Sequence, residues 1–263
     1  MQKILISAMA MSLALATMPA SAEPAPNVRS QGVTAGFGLL VGDSEFAGEG
    51  SRIIAIPIVT YESERFYVQG PQAGVHLYRA NGFTLNATLG ARLSGWDADD
   101  LGVSELAERG VDRSQLEDRD FSADLGLAAS WSGRAGKFEL AVTSDVLGAS
   151  DGQELSVEYT AGFAFAGGQL LPGARVSYWS DKLANYYYGT FAEEVARGVP
   201  DFRPDAFVMP SLRVGYLRPV GENWQFYGLL DYRFLPTEVR DSPLVERGVN
   251  GAASVTMAFT REF

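Results

Sequence analysis

The chain has no cysteine and a single histidine, His76. Without cysteine there is no disulfide framework, no thiolate metal site and no thiol nucleophile. Any Ser–His chemistry would have to run through His76. Positive charge is also scarce: 21 Lys and Arg stand against 32 Asp and Glu, a formal net charge of −11. A basic face for nucleic acid or for anionic lipid headgroups is therefore not expected. Past the first 22 residues there is no run of 18 consecutive apolar residues, so that part of the chain is not expected to cross a membrane as helices.

What is present is alternation. In the last segment Val255, Met257, Phe259 and Phe263 share one parity, and Ser254, Thr256, Thr260 and Glu262 share the other. Val33, Ala35, Phe37, Leu39 and Val41 do the same at the start, as do Phe83, Leu85, Ala87, Leu89, Ala91 and Leu93 further on. The pattern returns in 121–131, 137–146, 154–165, 208–216 and 224–234. Period two held over about ten residues predicts strands long enough to cross a bilayer at a tilt. A strand with one apolar face that ends on a C-terminal aromatic resembles the closing strand of an outer-membrane barrel, and Phe263, Phe259 and Met257 are its expected assembly signal toward the barrel-assembly machinery. The expected fold is an all-β, transmembrane antiparallel β-barrel of about 12 strands, with 10 possible, in outer-membrane lipid. A soluble sandwich would share the alternation.

The first residues read as a targeting segment. Lys3 precedes an apolar stretch, and Ala20-Ser21-Ala22 is a small-residue cleavage site. Residues 1–22 are thus an expected signal peptide, 23–31 a periplasmic tail and 32–263 the barrel. Loop lengths alternate. Short links fall at 80–82, 132–134, 166–168 and 219–221, and long ones at 97–118, 182–206 and 236–248. Barrels of this type have short periplasmic turns and long external loops, so every long link is expected outside. The least legible part is 52–78. There 52–61 is apolar on both parities and carries Pro57, which a ladder tolerates only at an edge or bulge.

The polar parity puts Arg92, Asp124, Lys137, Glu139, Asp145, Glu154, Glu158, Arg175, Arg213, Asp231 and Arg233 inside, where charges must pair. A paired interior predicts a plugged lumen; a selective pore or ligand site is the sharper alternative. Trp131 and Trp224 suit an interfacial girdle, whereas Trp96 and Trp179 fall on the polar parity and need a bulge or a rim position. No nucleophile elbow accompanies His76, so a structural role is expected for it, with no catalytic residue and no cofactor. Asp97, Asp99 and Asp100 lack the glycine and distal glutamate of a calcium loop and read as a solvated acidic loop, with no metal site expected. Tyr186-Tyr187-Tyr188 reads as rim aromatics, and 191–197 as a short helix ended by Gly198 and Pro200.

Three stretches together carry a family likeness. They are Phe46-Ala-Gly with Ile56-Pro57-Ile58 and Gly74-Val-His-Leu-Tyr78; Tyr188-Gly189 through Gly198-Val-Pro200; and Asp241-Ser242-Pro243 with Gly248. The chain resembles the MipA/OmpV family of outer-membrane proteins. The resemblance implies a non-enzymatic scaffold or adaptor that links a murein lytic transglycosylase to a penicillin-binding synthase. It also leaves room for a porin-like channel or an osmotically regulated or adhesive surface protein. Tyr188, Gly189, Pro200, Asp241, Ser242, Pro243 and Gly248 are the loop residues that match. Arg261 stands where the family usually places an aromatic.

Overall fold

The computed structural model describes residues 33–263. The expected signal peptide (1–22) and tail (23–31) lie outside the described residues. The alternating segments become thirteen strands of one antiparallel sheet. They are β1 (Val33–Asp43), β2 (Ser51–Glu62), β3 (Phe66–Gln69), β4 (Gln72–Ala80), β5 (Phe83–Arg92), β6 (Ser122–Gly133), β7 (Gly136–Asp145), β8 (Gln153–Thr160), β9 (Phe163–Phe165), β10 (Gly168–Trp179), β11 (Phe207–Val220), β12 (Trp224–Phe234) and β13 (Gly251–Glu262). Both β8 and β9 pair with β10, and the Ala161 N–H between them donates to the Pro172 carbonyl at 2.9 Å. The two are one wall strand with a local irregularity, so the wall has twelve strands. β13 pairs with β1 from Thr34↔Glu262 to Gly42↔Ser254, which closes the barrel. A closed ladder leaves no first or last strand to satisfy in lipid.

The expected parities hold. Phe37, Leu125, Leu127, Leu212, Leu230, Met257 and Phe263 are exposed, while Thr88, Ser156, Glu154 and Ser211 are buried. Polar groups inside and apolar groups outside is the inverse of a water-soluble fold and suits a hydrocarbon surround. Trp131 and Trp224 are exposed at the end of the wall that carries Val33 and Phe263. Trp131 packs between Phe83 (4.9 Å) and Phe138 (5.8 Å), building the expected girdle. The links at this end are tight. Asn81 and Gly82 both have positive φ, 51° and 79°, as a two-residue hairpin turn with the right twist requires.

All the long links lie at the opposite end, as expected, but they are not loose loops. Residues 93–121 carry short 3₁₀ turns (Ala98–Asp100 and Arg113–Gln115) and helix α1 (Val103–Ala107). Residues 180–206 carry α2 (Asp181–Tyr188) and α3 (Ala192–Ala196), and 235–250 carry α4 (Thr237–Arg240). With 44–50 they enclose a buried apolar cluster that includes Trp96, Leu101, Leu106, Leu183, Tyr188 and Leu244. The wall spends its apolar side chains on lipid, so the core of this protein sits in a lid over its external mouth.

The candidate functional site: lid and lumen

The lid is assembled from the residues that sequence reading put at the rim. Tyr187 and Tyr188 are almost fully buried, a correction to the rim expectation; Tyr186 only packs partly against the cluster. The reason is local. Ser180 caps α2 by accepting from the Leu183 N–H, and the helix then buries Leu183, Ala184, Tyr187 and Tyr188 along one face. Trp96 and Trp179 are corrected in the same way. Both are buried in the lid, Trp96 tilted 5.2 Å from Phe46 and Trp179 stacked 5.6 Å from Phe207. Their polar parity was right, because it points inward, but the inward side here is an apolar lid.

The matched loop residues converge. The Tyr188 hydroxyl donates to Glu45 at 2.8 Å, and Glu45 also pairs with Arg233 of β12 at 3.2 Å. Burial is the main force holding the Tyr188 phenol well above its ordinary pKa, and the Glu45 charge adds to it. The Ser242 hydroxyl donates to the Tyr188 carbonyl at 2.7 Å and accepts from the Leu244 N–H at 3.1 Å. Gly189 ends α2, its N–H donating to the Asn185 carbonyl. The Pro200 carbonyl accepts from Thr190 at 3.0 Å. Asp241 ends α4, and its carbonyl lies near the Arg109 guanidinium. Pro200, Asp241 and Pro243 line an open external cleft with Arg109 and Arg247. Gly248, at φ 83°, turns the last loop back toward β13.

At the centre of the lid lies a pair that sequence reading missed. Arg119 and Glu194 are both fully buried and meet in a fork, with bonds of 2.9 and 3.0 Å. Arg119 also donates to the carbonyls of Tyr186, Glu117 and Gly189, and its guanidinium lies over the Phe191 ring at 3.5 Å. Glu194 accepts from the N–H groups of Glu117 and Phe191. The pair staples residues 117–119 to 186–194. Glu194 stood in a recognisable place, three residues after Phe191, the cap of a short helix. Arg119 sits between two aspartates in a loop and carried no signal.

Below the lid the inward charges pair as expected. Asp124, Arg92, Glu154, Arg175, Glu158, Arg213 and Asp231 form one alternating chain along the inner face of the wall from β5 to β12. Arg92–Glu154 is 2.9 Å, Arg175–Glu154 2.8 Å and Arg213–Glu158 2.7 Å. Lys137 pairs with Glu139 nearer the periplasmic end, at 2.7 Å. Asp145 is buried at the top of β7, bonded to Ser122, Leu147 and Ser150. His76 is held rather than poised. Its Nδ1 meets Asn86 at 2.8 Å, its Nε2 meets Arg79 and Glu62, and its ring stacks on Tyr67. No serine is among those partners. Asp97, Asp99 and Asp100 do not gather with other ligands, and no metal-holding cluster occurs among the described residues.

The family model described as MltA-interacting protein MipA matches residues 35–263. This chain belongs to the MipA family. It is 28% identical to the putative outer membrane protein YiaT of Escherichia coli (strain K12), over 81% of this chain and 84% of that one. It is 24% identical to the MltA-interacting protein of the same organism, over 85% and 88%. The outer membrane protein OmpV of Vibrio cholerae is 23% identical over 55% of this chain and 56% of its own length. Among solved structures, an outer-membrane channel of Pseudomonas putida F1 aligns over 94% of this chain and 100% of that chain, at 8% identity and a TM-score of 0.45. The family, the closed barrel and the outer-membrane location agree with the sequence reading. Of the matched loop residues, Tyr188, Gly189 and Ser242 bond within the lid, while Pro200, Asp241 and Pro243 line the external cleft.

Proposed function

We propose that this protein is a capped, non-conducting outer-membrane anchor that holds peptidoglycan-remodelling enzymes, a lytic transglycosylase and a penicillin-binding synthase, at the inner face of the membrane. The observation that carries the reading is the lid over the lumen. A lid with its own apolar core covers the external mouth, and beneath it an alternating chain of seven charged side chains lines the wall from β5 to β12. A wide aqueous path would need the lid's buried apolar core opened to water. The name of the E. coli relative, MltA-interacting protein, supports the choice of partner.

The periplasmic end offers polar turns around 63–65, 134–135 and 221–223, ringed by Arg79, Arg218 and Glu262. These turns are small against the roughly 1,000 Å² that a specific interface needs. We therefore assign part of the contact to the tail at 23–31. The test has two arms. Planar-bilayer recording of the purified barrel is expected to be silent. Capture with the full chain is expected to retrieve a lytic transglycosylase, and a chain lacking residues 23–31 is expected to retrieve markedly less. Steady conductance with no captured enzyme overturns the anchor and favours a porin-like channel.

A further inference from the structure

β2 is twelve residues long, yet β3 covers only its last three, Thr60, Tyr61 and Glu62. From Ser51 to Ile58 it is paired on the β1 side alone among the described residues. The β3–β4 hairpin turns back at Gly70 and Pro71, and beyond that turn the wall is two strands short. Successive residues of a strand aim their backbone groups at opposite neighbours. The Gly70 N–H donates to the Val59 carbonyl at 3.0 Å, so Val59 faces the hairpin side. By alternation so do Pro57, Ala55 and Ile53. Pro57 thus sits where an N–H would have no strand to meet, which explains a proline in the middle of a membrane wall.

The far bank of the seam is the end of β5 and the residues after it. Ala91 donates to Pro71, and at the top the Arg52 side chain reaches across to the Gly95 carbonyl at 2.6 Å. Behind the seam lies a cavity of about 210 Å³ lined from both banks by Arg52 and Ile54 on β2 and by Leu93 beyond β5, with Tyr187; Glu45 and Arg233, which pair with each other, also line it. At ~30 Å³ per water in the liquid, that is room for a small organic molecule. The inward residues of β2 here are Ile54, Ile56 and Ile58, unlike the charged chain on the wall from β5 to β12. One polar atom stands out: the buried Tyr187 hydroxyl has no hydrogen-bond partner among the described residues. Unpaired backbone at membrane depth persists where it lines a cavity, because elsewhere hydrocarbon penalises it.

We propose that the seam is a lateral portal, through which a small apolar molecule bearing one hydrogen-bonding oxygen passes between the bilayer and this cavity and binds with that oxygen on Tyr187. The site is separate from the periplasmic contact surface and needs no path through the lumen. The probe is 4-bromophenol, added to the whole barrel in lipid nanodiscs. Bromine quenches indole fluorescence, and Trp96 lies 5.2 Å from Phe46, which lines the cavity.

Saturable quenching is expected, weakened about three- to tenfold by Tyr187→Phe, the size of one lost hydrogen bond. Lengthening the hairpin by eight residues on each side of Gly70-Pro71, the number left unpaired from Ser51 to Ile58, carries the ladder across the seam and is expected to slow association at least tenfold. Crystals of the unmodified protein soaked in the probe supply a readout that does not depend on that variant folding: anomalous bromine density between Ile54, Leu93 and Tyr187. Non-saturable quenching that Tyr187→Phe leaves unchanged, or bromine density confined to the detergent belt, overturns the site. Association through the lengthened hairpin at an unchanged rate overturns the lateral route.

Discussion

Replacing Glu194 by glutamine is the most direct test of the lid. Glu194 is the one carboxylate within ion-pair distance of Arg119 among the described residues, and both are fully buried. The substitution keeps the volume but removes the charge, and it turns one acceptor oxygen into a donor facing the Arg119 guanidinium or the Phe191 N–H. Breaking a buried pair by removing one partner costs about 3–5 kcal/mol. Three carbonyls and the Phe191 ring stay on Arg119, which places the expected loss near the lower end of that range. A loss of about 3 kcal/mol raises local opening on the order of a hundredfold, at 1.4 kcal/mol per decade.

The assay is amide hydrogen exchange at Glu117 and Phe191, whose N–H groups Glu194 accepts, with heat-modifiable migration in SDS gels as the check on the wall. Exchange should rise at those amides while the barrel band is unchanged, because the wall ladder does not involve the pair. The double variant Arg119→Met, Glu194→Leu should not recover the loss, because it takes their side-chain partners from three carbonyls and from the Glu117 and Phe191 N–H groups. Exchange within threefold of the parent in Glu194→Gln would refute the view that this pair staples the lid.

The lid should also loosen at high pH. Burial raises the Tyr188 phenol above its ordinary value of 10, so above pH 10 the unfolded chain ionises first and binds fewer protons than the folded one. Stability therefore falls as pH rises beyond 10, and Tyr188→Phe should flatten that fall in a pH series of lid proteolysis. Gly36→Val should block closure. A side chain at Gly36 would run into the Phe259 carbonyl on β13, and a heat-modifiable monomer from this variant would contradict the close approach. Phe263→Ala should slow insertion into outer-membrane lipid without changing the folded barrel; the Phe263 ring is exposed, with Arg261 5.4 Å above it. Unaltered insertion kinetics in vesicles with the assembly machinery would remove it from the signal.

The wall was legible because a strand in lipid encodes its two solvents in alternate residues. Phe37, Leu89, Leu125, Leu230 and Met257 declared the lipid side, and Arg92, Glu154 and Arg213 the lumen side, from the sequence alone. Loop lengths told the two ends apart for the same kind of reason, since only one end must turn tightly. The aromatic run 186–188 misled, because exposure of a loop aromatic depends on what packs over it. That was decided by Glu45, Arg233 and Ser242, which are far away in sequence. The Arg119–Glu194 fork had no period to reveal it. Pro57 announced an irregular wall, but a missing neighbour is a property of pairing, and β3 had to be seen stopping after four residues. Short-range order fixed which way each side chain faces; long-range pairing and burial alone decided the lid, the charge chain and the seam, because they depend on residues that meet only after the barrel has closed.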